Sequence, residues 1–151
     1  MESSQTENHT IVTTRILNAP IKIVYKAWAD PVHLAAWWGP KGFTNTFHEF
    51  DLKPGGKWIF TMHGPDKGNY QNECEFTKII PQQFISWKRH SHPLFNIEIS
   101  FEKISDVETK VIFKMVFDDP VLYNKVISFI PDKNEENFDR LEEELKKMTT
   151  D

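Results

Sequence analysis

Between Phe43 and Phe117 the chain repeats one pattern six times, a short run of alternating apolar and polar residues closed by a turn. The clearest run is Phe95–Glu102, where Phe95, Ile97, Ile99 and Phe101 alternate with Asn96, Glu98, Ser100 and Glu102. Successive side chains on a strand point to opposite faces, so alternation gives one apolar face and one wet face. Phe43–Leu52, Lys57–His63, Asn69–Ile80, Phe84–Arg89 and Thr109–Phe117 read the same way. The segments between them are short and rich in turn formers, such as Pro54-Gly55-Gly56 and Gly64-Pro65-Asp66-Lys67-Gly68. Six consecutive strands joined by tight turns form an antiparallel meander.

The flanks supply what must cover that sheet. Thr10–Leu17 is rich in β-branched residues and predicts a further strand. Asn18-Ala19-Pro20 then starts a helix, with Pro where its missing N–H is harmless. Ile23, Val24, Ala27 and Trp28 share its apolar face. Asp30-Pro31 ends it and begins a second short helix through Leu34 to Trp37, and Trp38-Gly39-Pro40-Lys41-Gly42 is a loop. Leu122–Ile130 predicts a turn or short helix stopped by Pro131. Asp132 then caps a helix over Glu135–Met148, whose stripe is Phe138, Leu141, Leu145 and Met148. This last helix is the only element long enough to cover a curved sheet, and the two early helices close one end. The class is α+β.

At 151 residues the expected organisation is a single domain over residues 9–151 behind a disordered tail at residues 1–8. A net charge of −4 without a Lys/Arg stripe excludes nucleic acid as the expected partner. A lone cysteine, Cys74, excludes a disulfide framework and fits a reducing compartment. The start of the chain has no apolar signal core and no run is long enough to span a bilayer, so the expected location is the cytoplasm, away from membranes.

Several motifs stand in a telling order: Asn18-Ala19-Pro20, Ala27-Trp28-Ala29-Asp30-Pro31, Trp37-Trp38-Gly39-Pro40, Gly55-Gly56-Lys57-Trp58, Met62-His63-Gly64-Pro65-Asp66 and Ile79-Ile80-Pro81. Together they resemble the family named after the activator of the heat-shock-protein-90 ATPase, within the START-like, birch-pollen-allergen-like superfamily. The resemblance runs from about Thr10 to Met148, and Asn137-Phe138-Asp139-Arg140-Leu141 resembles the final-helix signature of bacterial members. It implies the helix-grip fold, a curved antiparallel sheet wrapped around a long C-terminal helix with two short N-terminal helices, and a cavity between sheet and helix. It does not imply chaperone activation, since the eukaryotic activators carry an additional N-terminal domain for which this chain has no room. The chain departs from the family at Cys74, where a glycine is usual, which implies a less bent sheet and a narrower cavity.

Within that frame the candidate ligand lining is Trp58, Phe60, Met62, Tyr70, Trp87, Phe101, Phe113, Met115, Phe138 and Leu141, with Trp37, Trp38 and Phe43 at the entrance and His63 as an anchor. Trp28 reads as core. The expected partner is a small apolar or amphipathic molecule. Two other readings stand beside this one: a cyclase- or hydrolase-like enzyme using His63 or Tyr70 as acid–base, and a chaperone partner by family analogy. No catalytic residue, cofactor or metal is assigned. His90-Ser91-His92 reads as a turn before Pro93, Glu73 and Glu75 as a solvated face, and Cys74 as a buried inert thiol. Gly55-Gly56 joins two strands and reads as a hairpin, not a phosphate loop. The sequence is silent on oligomeric state.

Overall fold

A computed structural model describes residues 9–149; the expected tail at residues 1–8 lies outside the described residues. The elements run β1 (Thr10–Leu17), α1 (Ile21–Ala29), α2 (Pro31–Trp37), β2 (Thr44–Phe50), β3 (Lys57–His63), β4 (Asn69–Ile80), β5 (Phe84–Arg89), β6 (Asn96–Ser105), β7 (Glu108–Val116), α3 (Pro120–Val126) and α4 (Ile130–Thr149). The seven strands form one antiparallel sheet in the order β1-β7-β6-β5-β4-β3-β2. The meander is therefore continuous from β2 to β7, and β1 adds to its far edge.

Register builds rows of inward side chains. Trp58, Cys74 and Arg89 lie abreast on β3, β4 and β5. Phe76, Trp87, Ile97, Met115 and Ile11 form the next row across β4, β5, β6, β7 and β1. The pairing shifts between Phe47 and Glu49 and between Phe76 and Lys78. Each such bulge sharpens the local bend and twist of the sheet. The concave face and α4 enclose the core, in which Leu17, Val24, Ala27, Trp58, Ile99, Val111 and Leu141 are fully buried.

The starts of α2 and α3 follow one chemical rule. Asp30 Oδ1 accepts from Val32 N at 3.0 Å and Asp119 Oδ1 accepts from Val121 N at 2.9 Å, with Pro31 and Pro120 at the first helical positions. The side-chain oxygen satisfies a donor that the first turn leaves orphaned, and Pro has no such donor to satisfy. The same property corrects the expectation at the C-terminal helix. It begins at Ile130, so Pro131 sits inside its first turn and stops nothing, and Asp132 is a first-turn residue. Pro breaks a helix only where its ring meets a preceding turn of the same helix, and α4 has no turn before Pro131. β2 is also shorter than expected, starting at Thr44 and ending at Phe50.

Arg15 fastens the edge strand β1 to α4. Its guanidinium donates to Glu135 Oε1 at 2.5 Å, Asp139 Oδ1 at 2.8 Å and Glu142 Oε2 at 3.2 Å, and it lies over the Phe138 ring. Burial alone would lower its pKa; the bonds to Glu135 and Asp139 outweigh that and raise it.

Candidate functional site

The tryptophan pair at the end of α2 divides its work. Trp37 points into the core, where its Nε1–H donates to Ala27 O at 3.0 Å. Trp38 is half-buried and touches Trp28, Trp37, Trp58, Trp87 and Phe113 at ring separations of 5.5–6.3 Å, mostly edge to face. Edge-to-face contact brings the positive rim of one ring to the negative face of the next, so a hub with five ring neighbours is held in one orientation.

The loop after Trp38 is held from α4. Arg140 Nη1 donates to the carbonyls of Trp38, Gly39 and Pro40 at 2.9–3.1 Å, and Nη2 to Ala36 O at 3.2 Å and Phe43 O at 2.8 Å. Asn45 Nδ2 adds bonds to Ala35 O and Trp38 O, and Asn137 Oδ1 accepts from Gly39 N at 3.1 Å. These contacts satisfy the carbonyls that the end of α2 leaves without an intrahelical donor. Gly39 has φ +101°, and a Cβ there would lie 2.8 Å from Met62 Cε and 3.1 Å from Phe43 Cβ. The positive φ favours glycine, and the contact with Phe43 Cβ adds to the crowding.

Behind this loop, between the concave face and the N-terminal half of α4, lies a cavity of about 440 Å³. Trp38, Phe43, Phe60, Met62, Trp87, Phe113 and Met115 all line it. The other seven sequence candidates do not. Trp58 is fully buried behind Phe60, their rings stacked at 4.2 Å, and Trp37, Phe101, Phe138 and Leu141 belong to the packed core. Tyr70 is exposed on the hairpin, where its hydroxyl donates to Asp66 Oδ2 at 2.9 Å. His63 faces the other side of the sheet from Trp58, Phe60 and Met62; its ring nitrogens meet Thr46 Oγ1 at 2.8 Å and Asn69 Oδ1 at 2.7 Å.

The cavity has a polar end that sequence reasoning missed. Asn72 and Arg89 enter it from β4 and β5, and Lys133, Asn134 and Asn137 from α4. Arg89 is half-buried and lies 5.2 Å from the Phe95 ring. It donates to Asn72 Oδ1, to Pro93 O at 2.9 Å, to Ser91 Oγ at 3.1 Å and to His92 O at 3.4 Å. Burial lowers its pKa, with the neighbouring Cys74 thiol acting in the opposite sense. Cys74 also lines the cavity; burial pushes its thiol up to about 12, so it is protonated at neutral pH and a poor nucleophile.

The remaining motifs resolve simply. Gly55 N donates to Phe76 O, Gly56 N to Lys53 O, and Phe76 N to Gly56 O, so this turn has no N–H free for a phosphate. His90 Nε2 bonds Glu75 Oε1 at 2.9 Å. Among the described residues no three His, Cys, Asp or Glu side chains are grouped to hold a metal, and no helix is long and apolar enough to cross a membrane.

A curved antiparallel sheet gripping a long C-terminal helix makes this a helix-grip protein of the START-like kind. The chain belongs to the activator of Hsp90 ATPase homolog 1-like family, whose profile matches residues 18–148. Solved structures agree on the fold. A Nitrosomonas europaea protein, 20% identical, covers 94% of this chain and 97% of its own with a TM-score of 0.85. An Arthrobacter aurescens protein, 21% identical, covers 94% and 88% with a TM-score of 0.85. A family member from Silicibacter pomeroyi, 16% identical, covers 90% and 96% with a TM-score of 0.72. No curated protein matches the chain significantly.

Proposed function

We propose that the protein holds a small apolar or amphipathic molecule in the hydrophobic cavity between its sheet and α4. The observation that carries this reading is the cavity itself. About 440 Å³ lies within the range of small-molecule sites, and aromatic walls with a few convergent polar groups are their usual lining. Trp38, Phe43, Phe60, Met62, Trp87, Phe113 and Met115 are the ligand contacts, and the Trp38–Phe43 loop is one wall of the site. Family membership agrees with the architecture and leaves the ligand open.

The acid–base reading loses both its candidates, because His63 and Tyr70 stand outside the cavity with their polar atoms engaged elsewhere. The chaperone reading rests on the family name alone. The single free thiol suits a reducing compartment, and we place the binding role in the cytoplasm.

The test is a fluorescence titration with N-phenyl-1-naphthylamine, a neutral dye whose emission rises in apolar sites. The expected result is saturable one-to-one binding that Met62→Trp, which fills the cavity, weakens at least tenfold. A dye that fails to saturate on the wild-type protein would overturn the reading.

A further inference from the structure

The cavity has a sign. Its walls carry two cations, Arg89 and Lys133, and no carboxylate, in a chain whose net charge is −4. Asp118 and Asp119 line the outer groove that shares Arg89, and Asp119 is engaged in capping α3; Glu136, beside the cavity on α4, accepts from Lys41 N and pairs with Lys133.

Arg89 is the more telling of the two. All four of its acceptors, Asn72 Oδ1, Pro93 O, Ser91 Oγ and His92 O, are neutral. A guanidinium has five N–H donors, so one remains, on the Nη1 that also meets Asn72. Among the described residues Arg89 has no carboxylate partner. A cation drawn partly out of water is ordinarily paired. The neutral acceptors fix the plane of the guanidinium against Phe95 and leave its charge uncompensated. Arg89 and Phe95 line both the cavity and the outer groove, so this charge stands at the opening between them. Lys133 faces the same space from α4, 3.9 Å from Glu136 in a long ion pair.

Resting on the binding role proposed above, we infer that the ligand is an aromatic monoanion, its acidic group on Arg89 and its rings against Trp38, Phe60, Trp87 and Phe113. An anion there receives charge-assisted hydrogen bonds from a donor already oriented, which lowers the ordering cost of binding. The aromatic walls favour a flat body, since offset and edge contacts add to simple burial. Lys133 adds longer-range attraction across the mouth.

Two dyes with the same rings separate this inference from the reading it rests on: 8-anilinonaphthalene-1-sulfonate, an aromatic anion, and neutral N-phenyl-1-naphthylamine. Arg89→Met keeps the apolar stem and removes the charge. The expected result is a loss of sulfonate affinity of about tenfold or more, with the neutral dye unchanged within about twofold. Lys133→Met, on an exposed position of α4, lowers sulfonate affinity about two- to fivefold and carries the test should Arg89→Met not fold. On the wild-type protein, added salt weakens the sulfonate and leaves the neutral dye unaffected. Equal losses of both dyes in Arg89→Met, or equal salt dependence, overturn the anion inference while the cavity reading stands. Failure of both dyes to bind the wild-type protein overturns the two together.

Discussion

Arg140→Met should destabilise the fold strongly. The guanidinium carries five hydrogen bonds to carbonyls of residues 36–43, yet they do not count as five independent contributions. Three share Nη1, the bond to Ala36 O is exposed, and Trp38 O keeps its bond from Asn45 Nδ2 at 2.8 Å. Pro40 O likewise keeps its bond from Phe43 N at 3.2 Å, so the carbonyls left without a donor are those of Gly39 and Phe43. Hydrogen bonds from a charged donor contribute about 1.5–3 kcal/mol each, and water can replace part of that at a half-buried site, so the net loss is about 3 kcal/mol. A domain of this size loses roughly 2–4 °C of Tm per kcal/mol, so the midpoint should fall by about 6–12 °C in calorimetry or circular-dichroism melts. Arg140→Lys should recover less than half, because an ammonium cannot reach both sides of the loop. The same loop walls the cavity, so neutral-dye affinity should fall with stability. A melt within about 1 °C of wild type would refute the account of how the Trp38–Phe43 segment is held.

Three further outcomes follow from the same geometry. Gly39→Ala places a Cβ 2.8 Å from Met62 Cε at φ +101° and should destabilise by about 2 kcal/mol or more, seen as a lower urea midpoint with an unchanged slope. Cys74 should resist iodoacetamide at neutral pH and react fully once unfolded. Its folded thiol ionises near 12 and its unfolded thiol near 9.0, so between these values the unfolded chain binds fewer protons and stability falls as pH rises; Cys74→Ala should flatten that decline in pH-dependent urea titrations. His63→Ala should leave dye binding and any pH dependence of binding unchanged, because its ring stands on the opposite face of the sheet from the cavity.

Strand alternation made the fold legible, and so did the order of turns and helices, because each tight turn permits only an antiparallel neighbour. The site was legible in half its parts. Trp87 was recognised as inward-facing, and strand parity then puts Arg89 on the same face, two residues on; Cys74 and Phe76 likewise imply Asn72. The signal was present, but a charged or amide residue at the end of an apolar alternation reads as its terminus. On the last helix the error came from Pro131. Taking it as a stop left Asn134 outside the helix, and the stripe of Phe138, Leu141 and Leu145 then appeared to lack its polar continuation. Phe101, Phe138 and Leu141 do face inward, but inward is not the same as cavity-lining: whether a space stays open there depends on what arrives from α1 and α2, which no local pattern encodes.

The two halves of α4 show why a space remains at all. From Phe138 onward the helix presents Phe138, Leu141 and Leu145, all buried, and the interior there is closed. Its N-terminal half presents Ile130, Lys133, Asn134 and Asn137 to the sheet, and there the 440 Å³ cavity opens. This space is partly open to solvent, so water enters it wherever no ligand stands. The polar groups at one end supply the partners that ordered water needs. The aromatic walls supply none, so water against Phe60, Trp87 and Phe113 is poorly held and is the water an apolar ring displaces with gain. The division of the cavity into a wettable cationic end and an unwettable aromatic end thus favours the same occupant as the unpaired charge of Arg89, one molecule with an anionic head and an aromatic body.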